Sequence, residues 1–233
     1  MQEIILKMKG LLSNIKIFIP EGTYIKDPES SNLGKRIIEN SIVIIEKIGF
    51  ENFNFKKLGK EIGSNESSIY RYFESKHELL IYLTSWYWGW IEYQLVLETY
   101  SINDSKNKLI RAIDVVTRKT KQDNNYGHIN EVILNKIIIH ENSKCYLTKE
   151  VDNENKVGYF KAYKRVIKRL AEIISLYDKS YKYALSLAGT ITESALHQHY
   201  MKLHFPSVTS CSELLSPTEF LTNLTLNTLR NGK

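Results

Sequence analysis

The chain has 233 residues, 42% apolar and 25% charged, a balance that supports a packed core and excludes wholesale disorder. No run approaches roughly 18 uncharged apolar residues, so a spanning helix is not expected. Two cysteines, Cys145 and Cys211, are too few for a disulfide framework and wrongly spaced for zinc. Lys7 and Lys9 interrupt the first apolar run, and neither a basic leader nor a cleavage site stands out. A cytoplasmic protein with no membrane partner is expected.

The net charge of +6 invites a nucleic-acid reading, but its location weakens it. Residues 31–80 carry eight Lys and Arg against seven Glu, whereas residues 156–182 carry eight against two acids. The four prolines sit near the two ends, which permits long helices from Pro28 to Pro206.

Taken in chain order, apolar positions 4, 8, 11 and 15 suit a short helix over Met1 to Leu12. Ile15, Ile17 and Ile19 then alternate toward a Pro20-Glu21-Gly22 turn, which suits a small β-hairpin over Asn14 to Lys26. Asp27-Pro28-Glu29 combines an N-cap, a first-turn proline and a first-turn acid, and so predicts a helix start. Ile38, Ile42, Ile45 and Ile48 mark its buried face, and Gly49 is expected to close it.

Asn54 caps a short helix over 55–62, stopped by Gly63. Asn65 caps another over 66–73, and Ser75 with Glu78 forms a capping box opening a long helix from Lys76 to near Tyr100. Short capped helices joined by tight turns are a helix-turn-helix pattern. Further helices are predicted at 104–122, 127–140, 150–177, 180–204 and 216–230. The expected fold is all-α, with an extension over 1–27, a DNA-binding domain over 28–80 and a helical ligand-binding and dimerisation domain over 81–233.

In a helix-turn-helix the second helix lies in the major groove while flanking groups grip phosphates. On 65–73, Ile69 and Phe73 are expected to pack inward against Leu58 and Ile62. Ser67, Ser68, Tyr70, Arg71 and Tyr72 are then left facing outward or obliquely. Arg71 suits a bidentate pair with guanine, and Lys76 suits a phosphate. Glu66 is unusual beside DNA; it either accepts from cytosine N4 or stabilises the helix start.

The run from Phe55 to Leu80, with Gly63 in the turn, Tyr70-x-x-Phe73 on the reading helix and Ser75-Lys76-x-Glu78-Leu79-Leu80 after it, resembles the DNA-binding domain of TetR/AcrR-family regulators. The resemblance covers about residues 30–90. It implies phosphate contacts by Tyr70 and Lys76, with Ser67, Ser68, Arg71 and Tyr72 around the base-facing side. It places Asn54 where a backbone-touching cap is usual, and Lys56 is counted with it at the DNA. Gly59 departs from the usual alanine, which is expected to soften the second helix.

The resemblance also implies a variable ligand-binding and dimerisation domain. Tyr82, Trp86, Trp90 and Tyr93 share one helical side. Core packing is the plainer explanation, and a wall for an unknown small-molecule effector, with His197, is the sharper one. Tyr181, Ala184, Leu185, Ala188 and Ala195 form a stripe that, with Leu221 and Leu224, is the expected homodimer face.

Glu193, His197 and His204 share a side, but their spacing does not make a metal site. No cofactor and no catalytic constellation is expected. The resulting expectation is a repressor bound to a near-palindromic double-stranded operator and released by an effector. The alternative is a helical small-molecule-binding or interaction protein with a vestigial helix-turn-helix.

Overall fold

A computed structural model describes residues 17–123 and 126–230. It contains ten α-helices among those residues and no strand. They are α1 (Asn32–Asn52), α2 (Phe55–Glu61), α3 (Glu66–Tyr70), α4 (Lys76–Thr99), α5 (Ser105–Thr117), α6 (Glu131–Tyr146), α7 (Val151–Val157), α8 (Lys161–Tyr177), α9 (Ala184–His204) and α10 (Pro217–Arg230). The predicted helix over Met1 to Leu12 lies outside the described residues.

The β-hairpin is corrected: the described residues 17–26 contain the turn around Gly22 but no strand. Ile17 and Ile19 are buried, but neither lies in a strand. The start signal at Asp27 also acts differently. Its carboxylate accepts the Glu29 N–H at 2.9 Å and opens only a 3₁₀ turn, Pro28–Ser30. Ser31 is the cap of α1, its hydroxyl accepting from the Gly34 N–H at 3.1 Å.

Gly49 interrupts α1 rather than ending it. Its left-handed φ of 75° kinks the chain, which runs helically on to Asn52. The expected single helix over 150–177 is likewise two, because Gly158 (φ 95°) caps α7 before α8 begins.

The chain divides into two compact units. The first takes the described residues up to Tyr87 together with Thr120–Tyr159. The second takes Trp88–Lys119 and the chain from Phe160 onward. α4 is apolar around most of its circumference, and such a helix is stable only when covered on all sides. Leu79, Leu80 and Leu83 fill the first unit's core, and Trp88, Ile91 and Leu95 fill the second's.

In the first unit α6 lies along α1, and α2 packs on α3. In the second, α8 packs on α9 and α5, with α10 against α5 and α9. Ala162, Val166, Leu170 and Ile174 turn one face of α8 inward and leave Lys161, Lys164 and Lys168 exposed. Glu92 pairs with Arg165 and Arg169, both at 2.7 Å.

Candidate DNA-binding site

Local chemistry builds the reading unit. Asn54 caps α2 by accepting the Lys57 N–H at 2.9 Å. Phe55, Leu58, Ile62, Ile69 and Phe73 are all 3% exposed or less and close a small core between α2 and α3. Gly63 takes φ +60°, which only glycine adopts cheaply, to turn the chain between them.

Gly59 gives α2 a close approach rather than simple softness. A Cβ there would meet the Ser64 carbonyl oxygen at 2.7 Å, while its own carbonyl accepts the Ser64 N–H at 2.8 Å. Replacing Gly59 with Ala is expected to destabilise the chain by about 1–3 kcal/mol despite alanine's better helix propensity. Chemical denaturation checks this, and an unchanged or raised midpoint would contradict it.

α3 is capped by Asn65, whose side-chain oxygen accepts the Ser68 N–H at 2.9 Å. The same oxygen accepts from both the Ser67 and Ser68 hydroxyls, so these two expected DNA-facing groups are held back toward the cap. Glu66 lies in the first turn and accepts a long bond, 3.4 Å, from the Tyr70 hydroxyl. Tyr70 is half exposed and stands edge-on to Phe55 at 5.0 Å. Arg71 and Lys56 are exposed.

Tyr72 is the correction within this set. It is 4% exposed, and its hydroxyl bonds to Ser31 at 2.8 Å. It lies three residues beyond Ile69 and shares its inward face, so it locks the end of the reading helix to the start of α1. The carbonyl of Tyr72 accepts the Ile25 N–H at 2.8 Å, and Lys26 stands 5.2 Å over its ring. The segment before α1 is thereby part of the reading unit, and nothing in its own composition announced this.

Lys76 is half-buried. Its ammonium donates to the carbonyls of Phe50 and Glu51 at 3.0 and 3.1 Å and stands 4.7 Å over the Phe50 ring. Arg36 donates to the Ile62 carbonyl and so ties α1 to the turn before the reading helix.

Three of the expected effector-site residues, Trp86, Trp90 and Tyr93, lie on α4, and His197 lies on α9. Trp86 is buried in the first unit, edge-on to Tyr126 at 5.1 Å, while Trp90 is buried in the second and Tyr93 half-buried. His197 is exposed on α9. His199 is the histidine turned toward the core; it pairs with the Thr117 carbonyl at 2.8 Å, and burial lowers its pKa. Glu193 accepts from the Tyr163 hydroxyl at 2.5 Å. Among the described residues no group of three His, Cys, Asp or Glu is arranged to hold a metal.

The residues of the expected dimer stripe divide between buried and outward positions. Ala184, Ala188, Ala195 and Leu221 are buried within their own unit, and Tyr181 is half-buried. Small residues on α9 serve its packing on α8. The outward apolar positions are Leu185 and Leu224, joined by Leu203 and Phe220. A Cβ on Gly189 would meet nothing within 4 Å, so that outward face admits close approach. A cleft of about 390 Å³ beside it is lined by Gln198, Thr209, Cys211, Leu215 and Phe220.

Comparison with known proteins agrees with this geometry. Residues 37–83 match the family described as bacterial regulatory proteins, tetR family. The sequence matches no curated protein. A transcriptional regulator from Saccharomonospora viridis in complex with choline shares the fold, with TM-score 0.58 and 17% identity over 86% of this chain and 97% of that one.

The FadR regulator from Bacillus subtilis in complex with stearoyl-CoA aligns with TM-score 0.54 and 16% identity over 85% and 98%. AibR in complex with isovaleryl coenzyme A and operator DNA aligns with TM-score 0.53 and 16% identity over 84% and 97%. No described helix is long and apolar enough to cross a membrane. Residues 37–83 thus carry the matched tetR-family segment, within a helical fold that solved transcriptional regulators share along most of the chain.

Proposed function

We propose that the chain acts in the cytoplasm as a homodimeric repressor that binds a near-palindromic operator and is released by a small-molecule effector. The observation that carries the DNA reading is a capped reading helix, locked at its end through Tyr72, with Tyr70 and Arg71 exposed. Tyr70, Lys76, Asn54 and Lys56 are assigned to phosphates, and Arg71 to base edges. Ser67 and Ser68 are assigned to bases only if their hydroxyls turn away from Asn65. Leu185 and Leu224, with Gly189 between packed chains, are assigned to the dimer. Twofold symmetry then sets two reading helices about one helical turn apart on DNA.

Related folds bound to choline, stearoyl-CoA and isovaleryl-CoA support a ligand-responsive second domain. Release by an effector is a population shift, and tenfold induction needs about 1.4 kcal/mol of coupling. The reading assigns no catalysis to the chain. The competing reading, a ligand-binding protein with an idle helix-turn-helix, draws on the charge balance of residues 31–80 and on Glu66.

One experiment separates them: selection of bound genomic fragments by the purified protein near physiological salt, followed by footprinting. A protected near-palindrome supports the operator reading. No enriched fragment from a folded dimer supports the other. On the selected site, Arg71→Ala is expected to cost about 1–3 kcal/mol and to relax preference at particular positions. Equal losses on selected and random DNA would remove the base-contact role.

A further inference from the structure

The kink in α1 leaves the backbone at Phe50 held from two sides, its N–H by one partner and its carbonyl by another. Gly49 takes φ 75° and ψ 154°, which takes the Phe50 N–H out of the helical ladder. That N–H donates at 3.2 Å to the Glu141 carboxylate on α6, far along the chain from the helix-turn-helix. Both residues are buried, at 6% and 8% exposure. On the other side, the carbonyls of Phe50 and Glu51 receive the Lys76 ammonium.

Lys144 braces the arrangement. It pairs with Glu141 at 2.7 Å and with Glu51 at 2.8 Å. Burial opposes its charge, but the two carboxylates outweigh that and hold its pKa above the ordinary value.

We infer that Glu141 is a positioning residue for DNA binding, acting through the backbone at Phe50, whose N–H it accepts and whose carbonyl receives Lys76, to hold the Lys76 ammonium in place for a phosphate. An ammonium has three donors. Two are taken by the α1 carbonyls, and the third is left for a phosphate oxygen. A long side chain already ordered before binding loses less entropy when it binds. The inference rests on the phosphate role proposed for Lys76.

Its diagnostic is a sign. Removing an acid from a DNA-binding protein ordinarily strengthens binding, because less negative charge faces the polyanion. Here removal of Glu141 weakens it. A cleft of about 200 Å³ beside Gly49, lined in part by Lys136, His140 and Glu141, admits water to the vacated position, which favours a folded alanine variant.

The test is a salt titration of full-length protein on a long duplex of mixed sequence, with Lys76→Ala, Glu141→Ala, Glu141→Gln, Glu141→Asp and the Glu141→Ala/Lys76→Ala pair. Lys76→Ala is expected to lower the log–log salt slope by about one unit per subunit. Glu141→Ala is expected to lower it similarly and weaken binding roughly three- to tenfold, and the double variant falls no further than Lys76→Ala. Glu141→Gln, which keeps an oxygen for the Phe50 N–H, stays close to the parent. Glu141→Asp keeps the charge but is too short to reach, so it weakens binding as alanine does and serves if the alanine variant does not fold.

If Lys76→Ala leaves the slope unchanged, the phosphate role of Lys76 fails, and this inference with it. If Lys76→Ala lowers the slope while Glu141→Ala or Glu141→Asp does not, the positioning role alone is overturned. Glutamine behaving like alanine also overturns it, because charge and not the hydrogen bond would then be responsible.

Discussion

Replacing Gly34 with alanine is expected to cost about 3 kcal/mol of stability and to loosen the reading helix with it. A Cβ on Gly34 would lie 2.2 Å from the Pro28 carbonyl oxygen and 2.6 Å from its Cα. Both are backbone atoms, so no side chain can swing aside, and the 3₁₀ turn Pro28–Ser30 must move off α1. Overpacking usually costs about 1–3 kcal/mol, and rigid backbone on both sides puts this case at the upper end.

The displacement reaches the DNA-binding site through Ser31. Its hydroxyl both caps α1 at the Gly34 N–H and bonds to the Tyr72 hydroxyl at the end of the reading helix. Urea denaturation should show a lower midpoint, and DNA affinity should fall in the same variant. Gly127→Ala is the control, because a Cβ there meets nothing within 4 Å. Equal midpoints for Gly34→Ala and the parent would show that the turn yields freely.

Replacing Glu131 with glutamine is expected to stabilise the protein by about 2–3 kcal/mol at pH 8 and to change little near pH 4.5. Glu131 opens α6 and is fully buried. One carboxylate oxygen accepts from Gln122 Nε2 at 2.6 Å and the Asp123 N–H at 3.1 Å, and the other has no hydrogen-bond partner. Burial therefore pushes its pKa up to about 7, from an ordinary 4.5.

The unfolded chain releases this proton near pH 4.5, whereas the folded chain keeps it until about 7. Across that window the folded state binds more protons, so stability falls as pH rises. Glutamine removes the dependence. At acid pH the protonated acid and the amide both place an unpaired donor at the same buried position, so the two proteins should converge there. Denaturation of both proteins across pH 4 to 8 measures the difference, and parallel curves would show that Glu131 ionises as an exposed acid.

Much of the reading unit was legible because capping chemistry is local. Asn54 and Asn65 each accept the N–H three residues on, as their spacing predicted, both at 2.9 Å. Gly63 was legible for a similar reason, since a tight turn between two apolar faces needs a left-handed residue. The start of α1 was misread at Asp27 because Asp-Pro-Glu opens a 3₁₀ turn as readily as a longer helix. Only the Ser31 hydroxyl on the Gly34 N–H separates the two.

Periodicity reveals that a helix has an apolar face but not what that face meets. Tyr70 and Tyr72 are alike as side chains, yet one is 47% exposed and the other 4%. The buried one bonds to Ser31, forty-one residues away. The alanines of α9 form a stripe in any helical projection, but packing on α8 turns that stripe inward and leaves Leu185 outward.

Helical class, the caps and the helix-turn-helix with its family resemblance were thus carried by residues within a few positions of one another, where hydrogen-bond reach and side-chain spacing suffice. Tertiary structure alone decided that α6 joins the reading unit, that Glu141 takes the Phe50 N–H, and that Tyr72 locks instead of reads. Those contacts join groups 91 and 41 residues apart, where local spacing carries no information and only the packing of whole helices sets the distance.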